Sequence, residues 1–218
     1  MNSPAENETN NKKDRRRNPL KEAAILEAAL EEFGKNGFES TTISSICKAA
    51  NVSEATLYEY FKSKEEVLFS IPLHYTKREY DRMRQIERYI HGPREKVRVF
   101  IQAYLEFYES NPLYTSVAML SLKANRNFLN SEAYQAIREA TRPIVEAVDE
   151  GIKTGDFRED LDSRLVRNMV LGFIEHLTIQ WLLTGRPESI SALRDTVFEM
   201  IIRAIEKREP GSGEKVTD

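Results

Sequence analysis

The chain has 218 residues, of which 40% are apolar and 31% are charged, and its formal net charge at pH 7 is −3. This balance is ordinary for a folded helical protein of one large domain or two small ones. No apolar run approaches the roughly 20 residues that span a bilayer, and the polar, acidic first ten residues predict no signal peptide. The single cysteine, Cys47, excludes an intrachain disulfide and fits a reducing cytoplasm.

The first 17 residues are polar, and their composition predicts disorder. Positive charge is concentrated in residues 12–21, which hold six basic residues and one acidic residue. An arm of this kind can lie along phosphates or enter a minor groove. Arg15, Arg16 and Arg17 are therefore candidate DNA contacts, with a solvated tail as the alternative.

Residues 19–36 predict a first helix. Pro19 suits an early helical position, and apolar residues recur on one face of the following turns. Gly37 ends the pattern, because glycine readily adopts the backbone conformation that closes a helix.

Two short helices are predicted next, over residues 42–50 and 53–60. The hydroxyls of Thr42 and Ser53 can cap their first turns. Asn51 lies between them, and asparagine tolerates the left-handed conformation of a tight turn. Two short helices joined in this way have the shape of a helix-turn-helix, whose second helix enters a DNA major groove.

A longer helix is predicted over residues 64–90. Ser63 with Glu66 three residues later forms a capping box at its start. Pro72 lies inside the pattern, either as a flexure point within one helix or as a sign that two helices meet at Ile71.

The rest of the chain predicts further helices, separated by Gly, Pro and polar breaks, and no strand. Their predicted ranges are 93–109, 113–124, 131–154, 163–184 and 187–206, and the range 131–154 is expected to be kinked at Pro143. The fold class is therefore all-α, with an N-terminal three-helix DNA-binding domain, residues 18–66, and a larger C-terminal helical bundle. The DNA-binding domain is called the reader below.

Residues Leu20 to Leu68 include the run GFESTTISSICKAANVSEATLYEYFKSKEEVL. This stretch resembles the N-terminal domain of the TetR family of bacterial repressors. The motifs that carry the resemblance are the Gly37-Phe38 turn, the apolar spacing that follows it, and the run ATLYEYFKSKEEVL.

The resemblance implies that the second short helix and the start of the next helix contact DNA. The matching positions are Thr42, Ser44, Glu54, Ala55, Thr56, Tyr58, Tyr60 and Lys64. Glu54 and Glu59 depart from the expected pattern, since they place carboxylates on a helix that faces phosphates. Glu54 can accept a hydrogen bond from a cytosine amino group, or it is solvated.

The last two helices, residues 163–183 and 190–205, are apolar around more than one stripe. Such helices lie deep in a core or are shared with another chain. In TetR-type proteins the last two helices of each chain form a four-helix homodimer interface, and the resemblance implies the same here. The candidate interface residues are Leu177, Trp181, Val197, Ile201 and Ile205.

Apolar and aromatic residues of the later helices either line a ligand cavity or form plain core. The candidate ligand-binding residues are Phe100, Tyr104, Phe107, Tyr108, Met119, Leu122, Phe173 and His176. For His176, a hydrogen-bonded core position is the alternative. The run AVDEGIKTGDFREDLDSRLVRNMVLGFIEHLTIQWLL resembles the TetR-family repressors of fatty-acid degradation, which respond to long-chain acyl-CoA.

These features predict a cytoplasmic, homodimeric repressor that binds a palindromic operator in double-stranded DNA and is released by a small apolar effector, a long-chain acyl-CoA or a fatty acid. One alternative is a multidrug-responsive TetR-type repressor of an efflux gene, with Glu175 as the acid facing a cationic drug. The other is a helical ligand carrier or interaction protein without DNA function.

No sequence motif supports catalysis, a metal, a cofactor or a membrane partner: there is no Gly-rich phosphate loop, no HExxH and no serine elbow. The predicted organisation is a basic arm, a helix-turn-helix domain, a ligand-binding and dimerisation domain, and a disordered tail. Their boundaries are 1–17, 18–66, 67–208 and 209–218.

Overall fold

The structure, a computed structural model, describes residues 18–207, except for the side chains of residues 77–80, 82–84 and 87. The predicted basic arm and the predicted tail lie outside these residues. Across the described range the regular structure is helical, and the only strand-like feature is an isolated antiparallel bridge between Phe157 and Glu206. The all-α prediction is confirmed.

Ten α-helices follow one another along the described chain. They are α1 (Pro19–Ser40), α2 (Ile43–Ala49), α3 (Glu54–Tyr60), α4 (Lys64–Glu87), α5 (Pro93–Ser110), α6 (Pro112–Val117), α7 (Glu132–Ala140), α8 (Arg142–Thr154), α9 (Ser163–Thr184) and α10 (Arg194–Ile205). A π-helical turn, Ala118–Leu122, extends α6, and 3-10 turns occupy Phe128–Asn130 and Ser191–Leu193.

The described chain forms two compact units. The first contains residues up to 79 together with residues 113–137, and the second contains residues 80–112 together with residues from 138 onward. The segment 113–137 therefore belongs to the same unit as the helix-turn-helix. The boundary predicted at residues 66 and 67 falls inside this first unit.

The core of the first unit is built on α1. Its apolar face buries Ile25, Leu26, Leu30 and Phe33, and α2 packs against it. Helical geometry stops at Gly37, where φ is 76° and ψ is 162°. The predicted helix end is thus correct to one residue.

The core of the second unit is built on α5. Helices α8, α9 and α10 pack against it, and α8 also packs against α9. The apolar face of α5 buries Val97, Ile101 and Leu105 completely. Removing this surface from water supplies the main driving force for the unit.

Two predicted ranges differ clearly from the structure, and one alternative left open by the sequence is decided. The helix predicted over residues 131–154 is two helices that meet at Thr141. In a continuous helix Pro143 would have no N–H to donate to the carbonyl of Glu139, and its ring would clash with that carbonyl. Helix α4, in contrast, is continuous across Pro72, so two helices do not meet at Ile71. The last helix begins at Arg194, after a turn in which Ser189 Oγ accepts from Ala192 N.

Candidate DNA-binding and effector sites

The helix-turn-helix is defined by local capping. Thr42 Oγ1 accepts a hydrogen bond from Ser45 N at 3.0 Å, and Ser45 Oγ accepts from Thr42 N at 3.3 Å, which completes a capping box. Ser53 Oγ accepts from Thr56 N at 3.1 Å at the start of α3. Asn51 has a φ of 53° in the turn between them. These are the positions that the sequence predicts for caps and turn.

The inner face of this motif is apolar. Ile46, Leu57 and Phe61 are at most 2% exposed. Cys47 is buried beside them, and burial, with a smaller contribution from the charge of Glu54, raises the pKa of its thiol. A neutral, buried thiol is a packing group, as its place on the inner stripe predicts.

The outer face of α3 carries most of the candidate base contacts. Tyr58 is 52% exposed, and Glu54, Ala55 and Ser44 are exposed as well. Thr56 is half-buried, and its Oγ1 lies 2.9 Å from Ser53 Oγ. Exposure makes these side chains available to a partner.

Tyr60 is not on this outer face, and that prediction is wrong. The side chain is only 4% exposed, and its hydroxyl accepts a hydrogen bond from Asn18 N at 3.0 Å. Residues three and four apart share one side of a helix, so Tyr60 follows Leu57 into the core. Its phenol oxygen thus binds the N-cap residue of α1 instead.

Lys64 is half-buried and engaged within the protein. Its Nζ donates to the carbonyl oxygens of Phe38 at 2.7 Å, Glu39 at 3.2 Å and Thr41 at 2.8 Å. It also lies 4.5 Å from the centroid of the Phe38 ring. The predicted DNA contact of this lysine remains untested, but the structure gives its ammonium group three internal acceptors.

Other cations complete the reader's surface. Lys48 at the end of α2 and Lys62 before α4 are exposed, and neither was among the contacts predicted from sequence. Their positions in the sequence could have identified them, because each lysine lies at the end of a short helix of the motif. The predicted contacts Arg15, Arg16 and Arg17 lie outside the described residues.

Three candidate ligand residues form an aromatic row on α5. The ring centroids of Phe100 and Tyr104 are 5.4 Å apart, those of Tyr104 and Tyr108 are 4.8 Å apart, and the Tyr108 hydroxyl donates to the Tyr104 hydroxyl at 3.1 Å. Burial, with a smaller contribution from the charge of Glu175, raises the pKa of Tyr104. The second unit thus brings two phenol groups of this row near the half-buried carboxylate of Glu175.

The remaining candidate ligand residues do not gather in one place. Phe107 and Phe173 are half-buried in the second unit, whereas Met119 and Leu122 are buried in the first. His176 is exposed on α9, so its alternative place in the core is wrong, and its ligand contact remains a prediction. Its neighbours on the same stripe of the helix are exposed too.

Three of the five predicted interface residues face the wrong way for a dimer contact. Val197, Ile201 and Ile205 are at most 3% exposed because α10 buries them within its own unit. Leu177 and Trp181 are half-buried. Apolar residues on several sides of a helix leave open which side faces the chain's own core.

A different surface of α9 carries exposed apolar residues. Leu165, Met169 and Leu183 are 65%, 41% and 68% exposed, and they share one stripe with Gly172 and His176. We refer to these five residues as the α9 stripe. A Cβ placed at Gly172 would have no heavy atom within 4 Å, so the helix backbone is open there.

A polar cleft of about 460 Å³, which was not predicted from sequence, lies within the first unit. Its lining includes three carboxylates, from Glu65, Glu66 and Glu132. Glu65 Oε1 accepts hydrogen bonds from the side-chain amides of Asn125 and Asn127 at 2.9 and 3.1 Å. These bonds join the start of α4 to the loop after the π-helical turn.

This architecture, a capped helix-turn-helix followed by a helical bundle, is that of a TetR-type regulator. Residues 25–71 match the family of bacterial regulatory proteins described as the tetR family, and residues 77–204 match the family described as YsiA-like protein, C-terminal region. The chain therefore belongs to the TetR family and is a transcriptional regulator.

Its relatives include regulators of lipid metabolism. The fatty acid metabolism regulator protein of Bacillus subtilis is 28% identical over 188 residues, which cover 84% of this chain and 95% of that protein. The crystal structure of the transcriptional regulator FadR from Bacillus subtilis in complex with stearoyl-CoA matches with a TM-score of 0.78 and 26% identity, over 84% of this chain and 99% of that one.

A second solved structure shows the shared fold. The fatty acid degradation regulator FadR from Bacillus halodurans matches with a TM-score of 0.79 and 24% identity, over 88% of this chain and all of that chain. The relatives are regulators and not enzymes. Between residues 18 and 207, no helix combines the length and hydrophobicity needed to cross a membrane.

Proposed function

We propose that this regulator is a homodimeric repressor that binds a palindromic DNA operator and is released from it by a long-chain acyl-CoA or a fatty acid. The observation that carries the DNA-binding part is the two-sided character of α3. Tyr58 is half exposed, while Leu57 and Phe61 are buried. A short helix anchored on one side and open on the other is suited to a major groove.

The proposed base contacts are the open side chains of the reader. They are Ser44, Glu54, Ala55, Thr56 and Tyr58. A carboxylate at Glu54 can accept from a cytosine amino group, which would favour operators with cytosine at that position. Lys48, Lys62 and the arm at Arg15, Arg16 and Arg17 supply positive charge toward phosphates.

Two copies of the reader are needed for a palindrome. The α9 stripe supports a homodimer, because exposed leucine and methionine side chains gain by leaving water. It replaces the interface predicted at Val197, Ile201 and Ile205. A two-fold dimer would set two α3 helices on half-sites about one helical turn of DNA apart.

The aromatic row on α5 supports an apolar effector in the second unit. Rings of Phe100 and Tyr104 offer contact area to an acyl chain, and the Bacillus subtilis relative was crystallised with stearoyl-CoA. Effector binding would lower operator affinity roughly 10- to 100-fold, the usual range for coupling between two sites.

A cationic drug is the second candidate effector, because one observation favours it. Glu175 lies close enough to Tyr104 for its charge to act on the phenol inside the second unit. A half-buried carboxylate beside aromatic rings is suited to an organic cation. The same carboxylate would repel the head group of a free fatty acid.

Selection from a random duplex library tests the DNA-binding part. The wild-type protein should enrich a palindromic sequence, and Tyr58→Ala should weaken binding to that sequence while leaving the oligomeric state unchanged. Tyr89→Ala is the matched control, since Tyr89 is 73% exposed but lies outside the reader. If no sequence is enriched, the chain is better described as a ligand carrier that has lost DNA function.

The selected duplex then distinguishes the effectors. Stearoyl-CoA, stearate and tetraphenylphosphonium are titrated separately into the protein–DNA complex. Release by stearoyl-CoA or stearate supports the lipid-responsive repressor. Release by the cation alone supports the drug-responsive alternative and contradicts the lipid proposal.

A further inference from the structure

The ammonium group of Lys64 fills a cluster of backbone carbonyls. It donates to the oxygens of Phe38, Glu39 and Thr41 over distances of 2.7 to 3.2 Å. A lysine has three N–H donors, so these three acceptors use its full capacity. The Phe38 ring covers the cation at 4.5 Å and is itself 5.5 Å from the Phe33 ring.

The carbonyls converge because the helix breaks at Gly37. Its positive φ turns the chain out of α1, and the carbonyl oxygens that follow lose the next turn of helix as a partner. Thr41 N and Thr41 Oγ1 fold back onto Gly37 O at 3.3 and 2.8 Å, which closes the turn. A cation at a helix C-terminus is also favoured by the helix dipole.

The cluster lies where three elements of the reader meet. Thr41 directly precedes Thr42, the N-cap of α2, and Lys64 is the first residue of α4. One side chain therefore connects the end of α1, the start of α2 and the start of α4. A shift of this connection would displace the first helix of the helix-turn-helix.

We propose that Lys64 is a positioning residue of the DNA reader, which acts on operator binding through the turn at residues 38–42 and not by contacting a phosphate. The inference rests on the proposed DNA-binding function. Its geometric basis is that no donor of the ammonium group is left for an external anion. Lys62, two residues earlier and exposed, is the contrasting case.

The dependence of affinity on salt separates the two roles. Each phosphate contact contributes about 0.9 to the slope of log affinity against log salt, because it releases condensed counterions. The probe is the duplex that the wild-type protein selects from the random library. Affinities for it are measured between 50 and 300 mM KCl, roughly the range over which such slopes are resolved.

The variants are Lys64→Met, Lys64→Arg and Lys62→Met. Lys64→Met should weaken binding about tenfold or more at every salt concentration and leave the slope at the wild-type value. Lys62→Met calibrates the slope change that an exposed lysine of the reader produces. A smaller slope for Lys64→Met would identify a phosphate contact and overturn the proposal, as would unchanged affinity.

Lys64→Arg separates the loss of the charge from the loss of the three hydrogen bonds, and thermal unfolding of each Lys64 variant checks that it is folded in the binding assay. Arginine keeps the charge, so a phosphate contact would survive, whereas its planar fork does not match three acceptors that converge on one point. The positioning role requires this variant to lose affinity as well, and wild-type affinity in Lys64→Arg would contradict it.

Lys96→Met in the second unit is the stability control. It also removes a half-buried ammonium group from an internal partner, Glu150, and it should leave operator affinity unchanged. Failure of the wild-type protein to select any duplex would count against the proposed function itself, and this outcome differs from every result expected of the variants.

Discussion

Leu113 lies directly against the bare backbone of Gly34. A Cβ added at Gly34 would be 2.2 Å from Leu113 Cδ1, so glycine is what permits the contact between α1 and the segment that begins at residue 113. Leu113 is 37% exposed, and its side chain has room to move toward solvent. The cost of filling this space therefore depends on whether the leucine is present.

The effect of Gly34→Ala on the free energy of unfolding should differ between the wild-type chain and a Leu113→Ala background. In the wild-type chain, displacement of Leu113 offsets the gain in helix propensity, and the free energy of unfolding should change little or fall by about 1 kcal/mol. In a Leu113→Ala background the same substitution should stabilise by about 0.5–1 kcal/mol. Urea unfolding of the four proteins measures this double-mutant cycle, and additivity would contradict the contact.

Gly151→Ala should be more costly, because the obstructing side chain cannot move away. A Cβ there would meet three ring carbons of Phe157 at 2.1, 2.5 and 2.7 Å, and Phe157 is 2% exposed. We expect a loss of about 2–3 kcal/mol or more, at the upper end for overpacked cores. Thermal unfolding of Gly151→Ala and the wild type measures this loss, and an unchanged midpoint would contradict the contact with Phe157.

Glu109 should make stability depend on acid pH. Burial acts to raise the pKa of this carboxyl, but hydrogen bonds from the hydroxyls of Ser191 and Ser189 and the backbone N–H groups of Ser191 and Ile190 outweigh it and lower the pKa. Because the pKa of Glu109 is lower in the folded state, its contribution to stability is complete above the pKa of the unfolded state, about 4.3. This contribution is lost as the pH falls through the pKa of the folded state.

Glu109→Gln tests this linkage. The variant should be about 1–2 kcal/mol less stable at pH 7, because it replaces a charged acceptor, and the difference should shrink below about pH 4. Glu106→Gln is the control, since Glu106 accepts from Gln102 within the same helix. A difference that grows toward acid pH would have the wrong sign for this account.

Tyr60→Phe should affect stability and leave DNA recognition unchanged. The substitution keeps the buried ring and removes the hydroxyl that accepts from Asn18 N, at a cost of about 1 kcal/mol. Operator affinity, measured where both proteins are folded, should equal that of the wild type. A loss of affinity without a loss of stability would restore Tyr60 as a DNA contact.

Met169→Glu should disrupt the proposed homodimer, since it places a charge in the middle of the α9 stripe. Sedimentation velocity at micromolar concentration should show monomer. The control is Leu129→Glu, because Leu129 is 62% exposed but lies on the first unit. If Met169→Glu dimerises with unchanged affinity, the dimer interface lies on another surface.

The local features of the reader were predictable from sequence because their causes are local. Thr42, Ser53 and Asn51 act on backbone groups within three residues of themselves. The burial of Tyr60 was missed because its hydroxyl partner, Asn18, is 42 residues away. The internal acceptors of Lys64 were missed for the same reason, since a flexible cation at a helix start gives no sign of three carbonyls more than twenty residues upstream.

The second unit was predicted in its helices but less well in its surfaces. The pattern of α10 contains apolar residues on several sides, and periodicity alone does not say that Val197 and Ile201 face the chain's own α5. In the first unit, the polar cleft near Glu65 depends on contacts across about 60 residues of sequence. No local pattern encodes such contacts.

The first unit is assembled from two separate stretches of chain, with residues 113–137 returning to the reader after an excursion. Hybrid regulators are commonly built by exchanging the amino-terminal part of one protein for that of another. A single junction near residue 70 or 80 would graft a foreign reader onto a return segment shaped for the old one, with Leu113 meeting whatever replaced Gly34. Transplantation of this reader therefore calls for both stretches to be moved together.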